Sequence, residues 1–194
     1  MNKKFNDDFK NLATIYEHFV HPRKSLPWLH FLDEIKITSM LDIGGGTGRI
    51  TENFYPEIPL LYLADFSFPM LQAAHRKRIL LETCCLVEKL PFRDESFDCV
   101  IMVDAFHHLV DQKTALHEVI RVLRVGGVFI LEEPDIEKWQ VKLIAIGEKI
   151  LGMRSKFFRK EEIIQMLNPH NLAIKIEHNS INYFVRIKKI KKVL

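Results

Sequence analysis

The sequence predicts a doubly wound α/β domain around a mostly parallel sheet. Two observations carry the prediction. Short, continuous apolar runs such as Cys99-Val100-Ile101-Met102-Val103 alternate along the chain with segments of helical periodicity. Strands covered on both faces read that way, and strand–helix alternation builds βαβ units. The second observation is Leu41-Asp42-Ile43-Gly44-Gly45-Gly46-Thr47-Gly48, with four glycines in five positions between a short apolar run and a helix-compatible stretch. Glycine loses the most backbone freedom on folding. Such a cluster is expected where the chain must turn tightly, or where a ligand must come closer than a Cβ allows. A strand, a glycine-rich turn and a helix start together form a ligand cradle at the carboxyl end of a parallel strand.

Length and composition bound the rest. The chain has 194 residues, enough for one α/β domain with a real core. Hydrophobic residues make up 47% and charged residues 27%, ordinary for a soluble globular protein. A net charge of +3 is too small to imply nucleic acid. Cys84, Cys85 and Cys99 are odd in number, two of them adjacent, and form no Cys-x-x-Cys pair. No disulfide framework or zinc pattern is expected, and buried free thiols in a reducing compartment are. The first residues lack the apolar run of a leader, and no apolar stretch approaches the ~20 residues of a membrane span. A cytoplasmic protein without a membrane span is the expectation.

The elements follow in order. Residues 6 to 20 carry Phe9, Leu12, Ala13, Ile15, Tyr16, Phe19 and Val20 at helical spacing, and His21-Pro22 ends the run. Pro27 to Ile35 predicts a second helix, with Leu29, Leu32 and Ile35 on one face. Both precede the first strand, Ile37 to Leu41, and would cover the sheet edge or the cradle mouth. Arg49 to Phe54 can begin a helix. Leu60 to Ala64 is the second strand, with Asp65 at its carboxyl end and Ser67 and Pro69 opening the next helix. Leu80 to Leu86 contains the third strand, and Phe97 to Val103 is the fourth. Ala115 to Leu123 is an amphipathic helix that Gly126-Gly127 would stop, followed by a fifth strand over Val128 to Leu131. Ile136 to Leu151 and Arg159 to Leu167 predict helices, the first with Trp139, Leu143, Ile146 and Ile150 on one side. Leu172 to Glu177 and Tyr183 to Lys188 alternate as a final, hairpin-like strand pair. The expected whole is one domain over 1–194. In it, 1–36 is a helical cover, 37–133 the ligand-binding core and 134–194 the last helices and strands.

Spacing narrows the ligand. A dinucleotide fold wants G-x-G-x-x-G, whereas Gly44-Gly45-Gly46-Thr47-Gly48 reads G-x-G-x-G with Asp42 two residues ahead. Asp65 lies 17 residues after Gly48, at the end of the next strand. A carboxylate there can accept hydrogen bonds from vicinal ribose hydroxyls, which supports an adenosine-containing ligand.

The D-x-G-x-G-x-G pattern resembles motif I of the class I S-adenosylmethionine-dependent methyltransferases. Further blocks share the resemblance. Glu88-Lys89-Leu90-Pro91-Phe92-Arg93-Asp94-Glu95-Ser96-Phe97-Asp98 is similar to the E-x-L-P-F-x-D-x-S-F-D block of that family. His108-Leu109 with Asp111, then Ala115-Leu116-His117-Glu118-Val119-Ile120-Arg121-Val122-Leu123-Arg124-Val125-Gly126-Gly127, resembles its A-L-x-E-x-x-R-V-L-x-P-G-G block. Leu12-Ala13-Thr14-Ile15-Tyr16-Glu17 looks like the first helix of the ubiquinone/menaquinone-biosynthesis type. The resemblance covers residues 12 to 133 well and the last strands loosely. It implies a Rossmann-like, seven-stranded sheet with the last strand antiparallel. It also implies S-adenosylmethionine as methyl donor, S-adenosylhomocysteine as product, and no metal.

Carried over by position, Gly44, Gly45, Gly46 and Gly48 admit the methionine and ribose parts of the cofactor. Asp42 orders the loop or reaches the amino group through water. Asp65 holds the ribose, Phe66 and Met70 border the adenine or serve the core, and Val87 and Glu88 line its other side. Val103 offers main-chain contact near the methionine end. Leu86 stands where the family often has an Asp that bonds the adenine amino group. His107 and His108 follow the fourth strand near where the transferred methyl should sit, as candidate bases or hydrogen-bond partners for the acceptor. Phe106 beside them, with Tyr16 and Phe19 of the first helix, suits a small, partly apolar acceptor. Three other readings stay open: an RNA methyltransferase using the basic tail Arg186 to Lys192, a non-catalytic cofactor-binding sensor or subunit, and an NAD(P)-dependent oxidoreductase that the glycine spacing disfavours.

Overall fold

The computed structural model describes residues 26–33, 35–150, 152–167 and 171–191. The predicted helix over residues 6 to 20, with Tyr16 and Phe19, lies outside them. Seven strands form one sheet: β1 Ser39–Ile43, β2 Leu60–Asp65, β3 Leu81–Cys84, β4 Phe97–Val103, β5 Leu123–Pro134, β6 Leu172–His178 and β7 Asn182–Lys189. Their order is β3-β2-β1-β4-β5-β7-β6. Strands β1 to β5 pair in parallel, and β7 runs antiparallel to both β5 and β6. The winding reverses between β1 and β4, and a crevice opens at the carboxyl ends of the strands at such a switch point.

The alternation of side chains explains why these strands are apolar on both faces. Leu41, Ile43, Val100, Met102, Phe129 and Leu131 join one buried cluster. Their neighbours Met40, Cys99, Ile101, Val103, Val128 and Ile130 join the other. Four α-helices accompany the sheet: α1 Phe68–His75, α2 Gln112–Val122, α3 Trp139–Ile150 and α4 Lys160–Met166. No helix among the described residues is long and apolar enough to cross a membrane.

Several expectations are corrected. Pro27 to Ile35 forms a short 3-10 turn, Leu29–Leu32, rather than a helix. Its anchor is Trp28, fully buried, whose indole N–H donates to Glu132 Oε2 at 2.7 Å, while Leu29 is left exposed. After the glycine turn the chain likewise makes only a 3-10 helix, Thr51–Phe54. Gly126-Gly127 does not stop α2. That helix ends at Leu123, whose backbone is already extended, and both glycines lie inside β5 at a register shift against β4. A Cβ on Gly127 would meet the Asp98 carbonyl at 2.8 Å. The predicted apolar side of α3 faces outward, with Trp139 67% and Ile150 80% exposed. The inward stripe is Val141, Ala145 and Glu148, spaced for one helix face. Of the cysteines only Cys99 is buried, because Cys84 ends the exposed edge strand β3.

The two motif blocks at 88–98 and 115–127 meet in a clasp. Arg121 Nε and Nη2 donate to the two Glu118 oxygens at 2.6 and 2.8 Å, and Nη1 donates to Asp94 Oδ1 at 2.8 Å. The same guanidinium reaches the carbonyls of Phe92 and Leu90, and Glu118 Oε2 accepts the Leu90 N–H. Those motif residues hold α2 against the loop that leads into β4.

Candidate active site

A cleft opens at the carboxyl ends of β1, β2 and β4. From β1 and its turn it is lined by Asp42, Gly44, Gly45, Gly46, Arg49 and Ile50. From β2 and the start of α1 come Asp65, Phe66, Ser67 and Met70, with Val87 beyond β3. The end of β4 adds Val103, Asp104, Ala105, His108 and Leu109. The turn exists because glycines permit it. Gly46 takes φ +56°, and the nearest atom a Cβ there would meet is Met70 Sδ at 4.0 Å, so its side toward the cleft is open. Gly44 is held instead by its neighbour, since a Cβ would meet Ala105 Cβ at 2.6 Å.

Asp65 ties strand to turn. Its Oδ2 accepts the Gly46 N–H at 2.8 Å, and its Oδ1 accepts the Ser67 N–H at 2.7 Å. A carboxylate has about four acceptor positions, more than these two bonds use. Asp42 is buried beneath the turn and accepts the Thr51 hydroxyl. Burial is the main cause that pushes its carboxyl up to about 7; the Thr51 bond opposes the rise, the Asp65 charge adds to it and Arg49 opposes it.

The two histidines separate. His107 turns away from the cleft and is buried, its Nδ1 2.6 Å from Glu133 Oε2 and its ring stacked on Phe157 at 4.5 Å. Glu133 Oε1 accepts the N–H groups of Ala105 and Phe106 at 3.0 and 2.8 Å, which fixes the loop after β4. Burial alone would lower the His107 pKa, but the Glu133 charge and hydrogen bond outweigh it and hold the group above its ordinary value. His108 lines the cleft, with Ser155 Oγ 3.1 Å from its Nδ1. Burial and then the neighbouring His107 push its pKa down to about 3.

Of the sequence-predicted site residues, Asp42, Gly44, Gly45, Gly46, Asp65, Phe66, Met70, Val87, Val103 and His108 therefore converge on one cleft. Three do not. Gly48 takes φ +73° and packs against Leu80, where a Cβ would collide. Glu88 points to the start of α2, its Oε1 accepting the Asp111 N–H at 3.0 Å. His107 is spent on Glu133. Leu86 is half-buried just ahead of the cleft residue Val87. Sequence reasoning missed Arg49, Ile50, Ser67, Asp104, Ala105 and Leu109 as cleft residues. Asp104 carried the signal used for Asp65, an Asp directly after an apolar strand, and it takes φ +53°, an uncommon conformation for a residue with a Cβ.

Residues 41–131 match a family model described as a methyltransferase domain. A ubiquinone/menaquinone biosynthesis C-methyltransferase of Hahella chejuensis is 35% identical over 105 residues, 49% of this chain and 42% of that protein. The chain thus spans about two fifths of the length of that relative. The homologous enzyme of Pectobacterium carotovorum is 32% identical over 171 residues, 75% of this chain and 68% of that one. Among solved structures, a SAM-dependent methyltransferase of Thermotoga maritima, described as a possible histamine N-methyltransferase, superposes with a TM-score of 0.72 at 22% identity, covering 94% of this chain and 98% of that one. The Haloferax volcanii methyltransferase solved with its Trm112 activator gives 0.75 at 17% identity, covering 97% and 100%. At those identities the structures speak for the fold alone. Fold, cradle and relatives agree, and the chain belongs to the S-adenosylmethionine-dependent methyltransferase family.

Proposed function

We propose that the chain transfers a methyl group from S-adenosylmethionine to a small-molecule acceptor and releases S-adenosylhomocysteine. The observation that supports this reading is the Asp65–Gly46 bond at the mouth of an open glycine turn, which sets a carboxylate beside the space a methionine moiety would fill. In this reading Gly44, Gly45 and Gly46 border the methionine and ribose, and Asp65 accepts the ribose hydroxyls. Phe66, Met70 and Val87 flank the adenine, and Asp42 balances the cationic methionine end. Val103 to Ala105 and His108 face the acceptor.

The sulfonium makes the methyl group electrophilic, so the protein's chief task is alignment of the acceptor opposite the departing sulfur. Good alignment is worth up to ~7–11 kcal/mol of barrier. The curated relatives are named for methylation in quinone biosynthesis, which favours a small, partly aromatic acceptor over a polyanion. The basic tail gives little support to RNA. Lys189 Nζ donates to the carbonyls of Ile120 and Leu123, and Arg186 Nε to that of Phe31, so both cations serve the fold.

Calorimetry tests the donor and a labelled-donor screen of phenolic and quinol acceptors tests the reaction. Binding of S-adenosylhomocysteine with NAD far weaker is expected. Tight NAD binding with no response to S-adenosylhomocysteine would overturn the reading.

A further inference from the structure

Beside the cleft, three potential metal ligands converge from distant parts of the sequence. His107 and His108 follow β4, and Glu148 comes from the inward stripe of α3. One ligand atom from each lies within 4.8 Å of the others. We infer that His107, His108 and Glu148 form a binding site for one divalent transition-metal ion of the zinc type, open toward the cleft. The site stands on this geometry and not on the methyl-transfer reading. Only the suggestion that an acceptor oxygen completes the coordination rests on that reading.

Four features make the cluster a built site. Metal-binding histidines usually donate their other ring N–H to a carboxylate that fixes tautomer and orientation. Glu133 stands in that position for His107, and its own remaining oxygen is fixed by the Ala105 and Phe106 N–H groups. With Nδ1 engaged by Glu133, His107 has Nε2 as its ligand atom. Phe157 stacked on His107 and Ser155 beside His108 hold the two ring planes. Glu148 Oε2 is a buried carboxylate oxygen without a hydrogen-bond partner among the described residues, an arrangement that needs a compensating donor or cation. Finally, His108 also lines the cleft, so a ligand there can reach the ion.

The donor set chooses the ion. Two imidazoles and one carboxylate suit zinc and its neighbours, whereas magnesium and calcium take oxygen ligands. Three protein ligands leave a position for water or substrate. Donors about 2.1 Å from a common ion with an open fourth position lie ~3.4 Å apart, so a separation of up to 4.8 Å closes only with a movement of about 1.4 Å. A rotation of the long Glu148 side chain, half-buried on α3, would supply that movement. An ion there would lower the pKa of an acceptor hydroxyl bound to it.

The test uses the untagged full chain carrying Cys84→Ser, which removes the exposed thiol as a competing ligand. Zinc chloride alone is titrated by calorimetry, and cobalt chloride is followed by its visible absorption. The parent should take up one equivalent at micromolar affinity or better and develop a low-coordinate cobalt band. Glu148→Gln and His108→Asn should each weaken binding at least tenfold and lose the band, while His117→Asn, an exposed histidine on α2, should change nothing. Melting temperature reports that each variant is folded, and S-adenosylhomocysteine affinity confirms it for Glu148→Gln and His117→Asn. No stoichiometric zinc on the parent, or equal affinity in both ligand variants, overturns the site and leaves a buried His–Glu ion pair only. Zinc binding without S-adenosylhomocysteine binding would keep the site and remove the methyl-transfer reading instead.

Discussion

Replacing Asp65 by Asn separates the two tasks assigned to this carboxylate. In the structure its oxygens accept one N–H each, from Gly46 at 2.8 Å and Ser67 at 2.7 Å. An amide keeps one acceptor oxygen and turns the other position into a donor facing an N–H. One charge-assisted bond is therefore lost, worth ~1.5–3 kcal/mol before water replaces it at the half-open cleft. In a chain of this size that corresponds to ~3–12 °C in melting temperature. Binding suffers separately, because the charge that strengthens bonds to both ribose hydroxyls is gone. S-adenosylhomocysteine affinity should fall at least tenfold, about 1.4 kcal/mol. The assays are calorimetry at 25 °C and a thermal melt of the same preparation. A lowered melting temperature with unchanged affinity would refute the ribose role and leave Asp65 as a pin for the turn.

Three more outcomes follow from the same geometry. Gly46→Ala should weaken S-adenosylhomocysteine binding at least tenfold in calorimetry, because the methyl group enters the open side of the turn at φ +56° and adds ~1–2 kcal/mol of backbone strain. Arg121→Lys should lower stability by ~2–4 kcal/mol in a urea titration, since a point charge cannot replace a guanidinium that bonds Glu118, Asp94 and two carbonyls at once; an unchanged midpoint would show the clasp to be decorative. Asp42 predicts a pH dependence. Its folded pKa, about 7, lies above the unfolded value of 3.8, so its stabilising contribution is full below the unfolded value and is lost as pH rises to about 7. A cation bound beside it favours the carboxylate, so affinity for S-adenosylhomocysteine, which carries an ammonium group, should rise from pH 5.5 to 7 and then level. Adenosine, which lacks that group, should show no such slope, and equal slopes for both ligands would refute the assignment.

The parts of the site that were legible in the sequence are the local ones. Asp42, the glycines and Asp65 announce themselves because a strand end and a turn impose their own residue types within a few positions. Motif resemblance was equally legible but said little about role. Glu118, Arg121, Asp94 and Leu90 belong to the family blocks, and the structure shows them building a clasp rather than touching the cleft. What the sequence hid depends on distant pairing. Nothing near His107 indicates that Glu133, on the neighbouring strand, would draw its ring out of the cleft. The outward turn of Trp139 and Ile150 was equally hidden, because helical periodicity gives the stripe but not which side the sheet will cover.

The end of β5 organises both faces of the sheet, which yields a final prediction. Consecutive strand residues point to opposite faces. Glu132 accordingly reaches the first described segment, accepting from Trp28 Nε1 at 2.7 Å and Asn182 Nδ2 at 2.6 Å, while Glu133 holds the loop after β4. Glu132 is fully buried, so bulk water does not replace a donor that its oxygens lose. Trp28→Phe removes the indole N–H while keeping most of the ring volume stacked near Phe54. The loss should cost about 2–3 kcal/mol, the upper part of the range for a buried acceptor that loses a donor. In a thermal melt that is ~4–12 °C. The loop after β4 is held from the opposite face, by Glu133, so S-adenosylhomocysteine affinity should stay within about threefold, a change under ~0.7 kcal/mol. A variant that melts like the parent would show that the partners remaining to Glu132, Asn182 among them, satisfy it. One that loses cofactor affinity in step with stability would show that the two faces are not independent, and that Trp28 supports the cleft through the sheet itself.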